Sequence, residues 1–430
     1  MKPFLFLLFT ASAAAGPLHV DLPTVMKLAG ANNDEIQQAR ARHTETLAES
    51  KLAWQRFWPS VTLGASYRRT DGNVQDIAGA VFDVSKQHYT LGPNVMIDWS
   101  PGDLYYAALA GKQQALAAEQ LVEKTRRDIV TQAISRYYDL LAAEAALAII
   151  EDDLRLTQGY EKQIGGAVEA GTAFRADLLR VKTQVSREKL SIRQHQEQRD
   201  LTAAALAEIL RLPAETALRP AKADLVPVRL VDRKTGVASL ISQATQQRPE
   251  MKAASAVSTA AAWERERARV APLIPNVQAG YGFGGLGGGF NSDMGNFDET
   301  QNVFIGFGWK IGPGGLFDRQ RKVIAGAQEE AAQLQSAQVK AAIGREVVEA
   351  AAKAQSAHDQ ISINDEAVSA AEEMVKLAQE RQASQLGVVL EYLLAREELT
   401  RARRDRVTAV AAYNQAQHAL VRAIGGHSTP

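Results

Sequence analysis

The sequence predicts a mainly α-helical fold with a β part embedded in a membrane, built from a helix–strand–strand–long-helix unit that occurs twice. Three observations carry this. Two pairs of alternating segments recur about 216 residues apart: 61–67 with 89–99, and 277–283 with 303–309. Each pair is followed by proline and glycine (Pro101-Gly102, Pro313-Gly314-Gly315) and then by a very long helical pattern. Finally, four strands with one apolar face cannot close a barrel alone, and lipid does not tolerate open strand edges. The strands therefore point to a barrel shared between subunits.

The 430 residues are 46% hydrophobic, but only 6% aromatic, with alanine making up much of the apolar share. That composition suits long, closely packed helices better than a deep globular core. The 49 basic and 49 acidic residues balance, with no block of like charge. A nucleic-acid partner, which needs a basic face, is not expected. Cysteine is absent, which excludes disulfides, thiolate metal sites and a lipid anchor on an N-terminal cysteine.

Residues 1–15 read as a signal peptide: Lys2, the short apolar run Phe4 to Phe9, then small residues ending in Ala15. No later apolar run is long enough to predict a transmembrane helix.

The remaining elements follow from local pattern. A mostly helical stretch over 22–57, with Thr24 as its expected cap and a turn followed by a helix start at 31–36, is stopped by Pro59, which has no amide to donate. The first repeat, 16–210, then carries strands at about 60–70 and 88–99 and a helical hairpin over 104–210. Strand one alternates Val61, Leu63, Ala65 and Tyr67 with Thr62, Gly64, Ser66 and Arg68. Strand two places Tyr89, Leu91, Val95, Ile97 and Trp99 opposite Thr90, Asn94 and Asp98. A segment at 211–236, with Pro213, Pro220 and Pro227, reads as a linker. The second repeat, 237–426, has strands at about 276–285 and 301–311 and a hairpin over 316–424, and 427–430 is a tail. Strand four places Val303, Ile305, Phe307, Trp309 and Ile311 against Asn302, Gly306, Gly308 and Lys310. Period two of this quality means one face in an apolar medium and one in water. The lipid-facing set is Val61, Leu63, Leu91, Val95, Ile97, Val303, Ile305 and Phe307, with Tyr89, Trp99 and Trp309 as interfacial aromatics. Polar loops are expected at about 72–87 and 286–300.

The first long helix is expected over 104–167, about 95 Å at ~1.5 Å per residue, and the second over 316–383. Ile129, Ala133 and Leu140, Val130 and Tyr137, and Ala327, Ala331 and Leu334 mark contact faces. Tip turns around Gly171-Thr172 and Gln385-Gly387 lead into return helices.

These features together resemble the TolC family of outer-membrane efflux proteins, over nearly the whole chain after the signal. Asn33-Asp34-Glu35-Ile36 and Arg248-Pro249-Glu250-Met251 look like the family's two "N-P-E-hydrophobic" helix starts. Trp58-Pro59-Ser60-Val61 and Ile274-Pro275-Asn276-Val277 look like its barrel entries. Gly171 followed by Asp177-Leu178-Leu179 is similar to its tip motif, whereas the matching glycine before Glu391 is Gln385, with Gly387 nearby. The resemblance implies a non-lipidated member: one third of a homotrimeric, twelve-stranded barrel continued by a periplasmic α-barrel. It implies an exit duct of a tripartite efflux or type I secretion system, located in the outer membrane and extending into the periplasm. Its implied partners are outer-membrane lipid, a periplasmic adaptor (membrane fusion protein) and an inner-membrane pump. It also implies that Asp177 and Glu391 line the periplasmic constriction, with Gly171, Thr172, Gln385 and Gly387 at the adaptor contact. As helix-start acids, the two carboxylates would equally serve as solvated caps. The alternative is a periplasmic coiled-coil adaptor or scaffold, which would lack amphipathic membrane strands.

No cofactor, metal or catalytic role is expected. The run at Gly280–Gly285 fits G-x-G-x-x-G but is followed by more glycine rather than a helix, so it reads as strand and loop. The seven histidines are scattered, and no nucleophile–base constellation supports an enzyme. Asp152-Asp153 reads as a solvated helix face.

Overall fold

The computed structural model describes residues 17–213, 215–222, 224–291, 293–384 and 387–426. The signal peptide, the tail and Gln385 lie outside the described residues. The chain forms two compact units, Met1–Arg40 with Leu121–Lys252 and Val339–Pro430, and Ala41–Gln120 with Ala253–Gln338. Each unit draws on both repeats. The compact units therefore cut across the duplication, because the two repeats share one sheet and pool their helical cores.

The elements run β1 (Leu18–Val20), α1 (Leu22–Asn32), α2 (Asp34–Gln55), β2 (Ser60–Gln75), β3 (Val81–Trp99), α3 (Pro101–Glu169), α4 (Arg175–Leu210) and β4 (Leu218–Pro220). They continue as α5 (Val237–Gln247), α6 (Pro249–Val270), β5 (Asn276–Phe290), β6 (Asp298–Gly308), α7 (Arg319–Ala383) and α8 (Val389–Ala423). Among the described residues no helix is long and apolar enough to cross a membrane.

Several boundaries differ from the sequence expectation for local reasons. The first helical stretch is two helices, divided at the helix start expected over Asn33-Asp34-Glu35-Ile36: Asn33 leaves the helix and its Oδ1 accepts from the Glu35 amide at 2.9 Å, opening α2. The cap of α1 is Asp21, which accepts from the Thr24 amide at 2.9 Å; Thr24 is the residue capped. Helix α3 begins at Pro101 itself, whose missing amide costs nothing in the first turn. Helix α7 begins at Arg319 rather than 316, because Asp318 accepts from the Arg321 amide at 3.0 Å and caps it. The amides of Arg321 and Gly314 hold the Asp318 carboxyl below its ordinary range.

In the first unit, Ile129, Ala133, Ile134, Leu140 and Leu141 of α3 form a buried stripe. It packs with Val25 of α1, Ile36 of α2, and Leu206 and Leu210 of α4. Each large side chain so covered contributes about 1.5–3 kcal/mol. The segment expected as a linker is held at both ends. Strand β4 pairs in parallel with β1, Leu18 opposite Leu218. Downstream, the buried Asn414 of α8 accepts from the Val228 amide at 2.8 Å and donates to the Val226 carbonyl at 2.9 Å. Gln417 accepts from the Leu230 and Val231 amides at 3.1 Å each. Two side-chain amides thus satisfy a stretch of backbone that has no ladder.

The helix start at Arg248-Pro249-Glu250 anchors a charge network. Arg248, 2% exposed, donates to Glu250 at 2.7 Å and Glu346 at 2.6 Å. Arg422 of α8 bonds the same two carboxylates at 3.0 and 3.1 Å and also Asp128 at 2.7 Å. The paired guanidinium charge holds the Glu250 carboxyl down against its burial, which pushes the other way.

The second unit holds the four-stranded sheet, in the order β2-β3-β5-β6, antiparallel throughout. Three of the strands are longer than expected, whereas β6 keeps its length but starts earlier and ends at Gly308, leaving Trp309 and Ile311 beyond it. Most of the region expected as the first loop is paired ribbon, with Thr70 opposite Lys86 and Gln75 opposite Val81, leaving only 76–80 as a turn. The second loop shrinks to 291–297. Gly280–Gly285 lies inside β5. Of the expected contact face on the second long helix, Ala327 and Ala331 are exposed and Leu334 is 58% exposed; the buried residue there is Ala325.

Candidate functional site

The sheet registers decide which side chains share a face. Val61 is opposite Val95, Val95 opposite Tyr281, and Tyr281 opposite Val303. One row on, Ile97, Ala279 and Ile305 align, then Trp99, Val277 and Phe307. Odd-numbered residues of all four strands therefore make one face. Leu63, Ile305 and Phe307 are 79, 77 and 76% exposed, and Val61, Leu91 and Val303 are also open. Val95 and Ile97 are half-buried, because β3 is a central strand and their neighbours flank them on both sides. A sheet that leaves this much large apolar surface open in a single chain is built for an apolar medium.

The opposite face carries Ser60, Thr62, Gly64, Ser66, Thr90, Asn94, Asp98, Gln278, Gly282, Asn302, Gly306 and Gly308, interrupted by Met96 and Phe304 on either side of Gly280 and by Leu286. Its glycines include a packing device. A Cβ on Gly92 would sit 2.2 Å from the Phe283 carbonyl oxygen, and one on Gly284 2.1 Å from that of Leu91. The two backbones approach here beside Pro93, whose ring nitrogen has no hydrogen to donate, and the β3–β5 register skips it.

Aromatic residues bracket the apolar face. Tyr89 stacks on Phe297 of the 291–297 loop, centroids 5.6 Å apart, and its hydroxyl donates to the Met294 carbonyl at 2.8 Å. At the other end the Trp309 indole donates to the Leu273 carbonyl at 3.0 Å, and Trp99 closes β3. From Tyr89 to Trp99 the strand rises about 33 Å, or about 25 Å along a membrane normal at a tilt of ~40°. That equals the height of an outward apolar band in outer-membrane barrels.

The helical tips lie in the first unit. Gly171 takes the left-handed conformation (φ +74) that ends α3, and the Thr172 amide and hydroxyl both donate to the Ala167 carbonyl, at 2.8 and 3.0 Å. At the second tip Gly387 is not left-handed; it is needed because a Cβ would meet the Gln382 nitrogen at 2.9 Å. Asp177 and Glu391 each sit at the third residue of their helix, α4 and α8. The structure adds a partner to each. Arg180 bonds Asp177 at 3.0 Å and Arg381 bonds Glu391 at 2.8 Å. The two tips share one core: Tyr160, Ile164 and Val181 with Val375, Val389, Tyr392 and Leu393. The Tyr160 and Tyr392 rings lie 4.7 Å apart, and burial pushes the Tyr160 hydroxyl up to about 12.

Sequence reasoning missed a buried charge cluster above this core. Asp153, expected on a solvated face, is 6% exposed and ion-paired with Arg396 of α8; only its neighbour Asp152 is at the surface, paired with Arg155. Glu188 of α4, also 6% exposed, accepts from Thr157 and Gln184 at 3.1 Å each. Burial, and then the nearby Asp153 charge, push Glu188 up to about 6. The seven-residue spacing Glu188–Val181 on one helix stripe was the available signal.

Solved structures share this fold. CusC is 21% identical, with 97% of this chain and 96% of CusC covered and a TM-score of 0.78. VceC from Vibrio cholerae is 20% identical over 94% of this chain and 96% of that one, TM-score 0.77. The MtrE outer membrane channel of Neisseria gonorrhoeae is 16% identical over 94% and 89%, TM-score 0.75. No curated protein sequence matches the chain. The family model for outer membrane efflux proteins matches residues 25–210 and 240–426, spanning both helix–strand–strand–helix units. The chain therefore belongs to the outer membrane efflux protein family.

Proposed function

We propose that three copies of this chain close one twelve-stranded barrel and continue it as a hollow helical cylinder, a passive conduit that performs no chemistry. The protein is an outer-membrane exit duct of efflux systems, extending into the periplasm. One observation carries the trimer reading. The sheet has two free edges, β2 and β6, and an apolar face open to its surroundings. Lipid requires every strand amide and carbonyl to be paired, so β6 of one copy must meet β2 of the next. The exposed apolar side chains of α7, Val323, Ile324, Leu334, Val348 and Ile363, support neighbouring helices from other copies. A periplasmic adaptor or scaffold would have no use for the four amphipathic strands.

In this reading the tip turns at Gly171-Thr172 and Gln385-Gly387 face a periplasmic adaptor and an inner-membrane pump. Asp177 and Glu391 line the constriction, each tempered by its arginine. A narrow pore ringed by carboxylates draws cations; one in which the carboxylates are paired does so less until the pairs part. The cargo is small molecules or polypeptides, carried in water past the polar sheet face. The test is assembly. Purified in detergent and cross-linked, the protein should run at the mass of three chains. A monomer that stays folded in plain buffer overturns the reading.

A further inference from the structure

The alternation of the β2–β3 ribbon changes sign along its length. Up to the row of Tyr67 and Tyr89, odd residues are apolar and even residues are polar or glycine, apart from Met96 opposite Ser60. Beyond that row the odd face carries Arg69, Asp71, Asn73 and Gln75 on β2 and Asp83, Ser85 and Gln87 on β3, with Val81, next to the turn, as its one apolar member. These polar groups are knitted together: Arg69 donates to Asp71 at 2.7 Å, and the Ser85 hydroxyl donates to the same carboxylate at 2.7 Å. The even face turns the other way. After the belt of Arg68, His88 and Lys86 it carries Val84 opposite Gly72 and Phe82 opposite Val74, with Phe290 opposite Lys86 at the end of β5. Phe82 is 48% and Phe290 66% exposed.

A polar outer face means water outside, so the ribbon above Tyr89 has left the lipid. An apolar inner face there has no bilayer to explain it. It continues the face that is polar and glycine-rich within the membrane band, and in a closed barrel that face looks at the channel axis. The surfaces opposite are the same residues of the other copies.

We propose that Val74, Phe82, Val84 and Phe290 form an apolar collar at the outer mouth of the duct, three copies of the collar meeting around the axis. This rests on the trimeric-conduit reading above. An apolar constriction gates by dewetting: it holds water and ions back at rest and yields to cargo that can wet it. Arg68 and Lys86 on the same face supply positive charge beside the collar, so the cargo favoured at the last step is amphipathic or anionic rather than a bare cation.

The test uses the purified full-length protein in planar lipid bilayers. Phe82→Ser with Phe290→Ser should raise unitary conductance about twofold or more, while Asp83→Ser, at the same height on the outer face, leaves it unchanged. Since the chain has no cysteine, Phe82→Cys supplies a unique thiol. Treated with copper phenanthroline as oxidant, it should form covalent dimers within the trimer, and Asp83→Cys should not. Trimers whose conductance ignores the serine pair, or whose Asp83→Cys links as readily as Phe82→Cys, overturn the collar. A wild-type protein that forms no trimer and no channel overturns the conduit reading instead.

Discussion

Replacing Ile305 with arginine tests the assignment of the two sheet faces. On β6 the outward residues run Gln301, Val303, Ile305, Phe307, and Trp309 follows the strand. Ile305 lies midway between the last polar residue and the tryptophan. At ~3.3 Å per residue and a ~40° tilt, it is about 10 Å from either, close to the middle of the apolar band. Its side chain is 77% exposed in the single chain, so its loss opens no cavity, and the cost is that of placing charge in lipid. That cost is about 2–4 kcal/mol per chain near the midplane, on the order of 6–12 kcal/mol for three chains in one barrel. Gly306 is the control. It lies on the polar face, and a Cβ there meets nothing within 4 Å. Gly306→Arg should therefore assemble normally and narrow the pore. The assay is the fraction of heat-resistant trimer recovered after refolding into lipid vesicles over a urea series, followed by conductance of whatever assembles. If the two substitutions reduce trimer equally, or Gly306→Arg is the worse, the faces have been assigned the wrong way round.

Two further outcomes are expected. Gly284→Ala pushes a methyl to 2.1 Å from the Leu91 carbonyl oxygen and should cost about 1–3 kcal/mol, seen as a lower urea midpoint, whereas Gly64→Ala, in open space, should leave the midpoint unchanged. Glu188→Gln should stabilise the protein in a pH-dependent way. Its folded-state value is raised from 4.5 to about 6, so the charged form is penalised, and wild-type stability falls as pH rises from about 4.5 through 6. The glutamine variant should gain about 1–2 kcal/mol at pH 7.5 and nothing at pH 4, measured by thermal unfolding at both. A gain of the same size at both pH values refutes the buried-charge account.

Period-two alternation made the strands legible, because one face of each had to be apolar and the other wet. Val61 to Tyr67 and Val303 to Phe307 each declare that requirement within a few residues. The helical contact faces were only half legible. The Ile129–Leu140 stripe is buried in its own chain, whereas the Ala327–Leu334 stripe, equally helical in its spacing, is open. Periodicity reports that a face needs cover and is silent about which chain supplies it. The strand ends were misread because polar residues at 69–75 and 83–88 look like loop when a strand is judged by its apolar face alone. A ribbon outside the membrane has no such face outward, yet its hydrogen bonds continue.

The tips show a similar limit. A motif can place a carboxylate at the third residue of a helix, since the helix start is local. It cannot tell whether that carboxylate is bare. Arg180 lies three residues from Asp177 and could have been paired with it from helical spacing. Arg381 belongs to the preceding helix, ten residues before Glu391, and reaches it only because the hairpin folds back. The same holds more strongly for Asp153 and Arg396, which are 243 positions apart and meet through packing of the two hairpins. Charges that meet through such packing answer to helix movement, whereas a pair within one turn does not. A slide of α8 against α3 would therefore part Asp153 from Arg396 while leaving Asp177 with Arg180, so only the first of these pairs is sensitive to how the two hairpins pack.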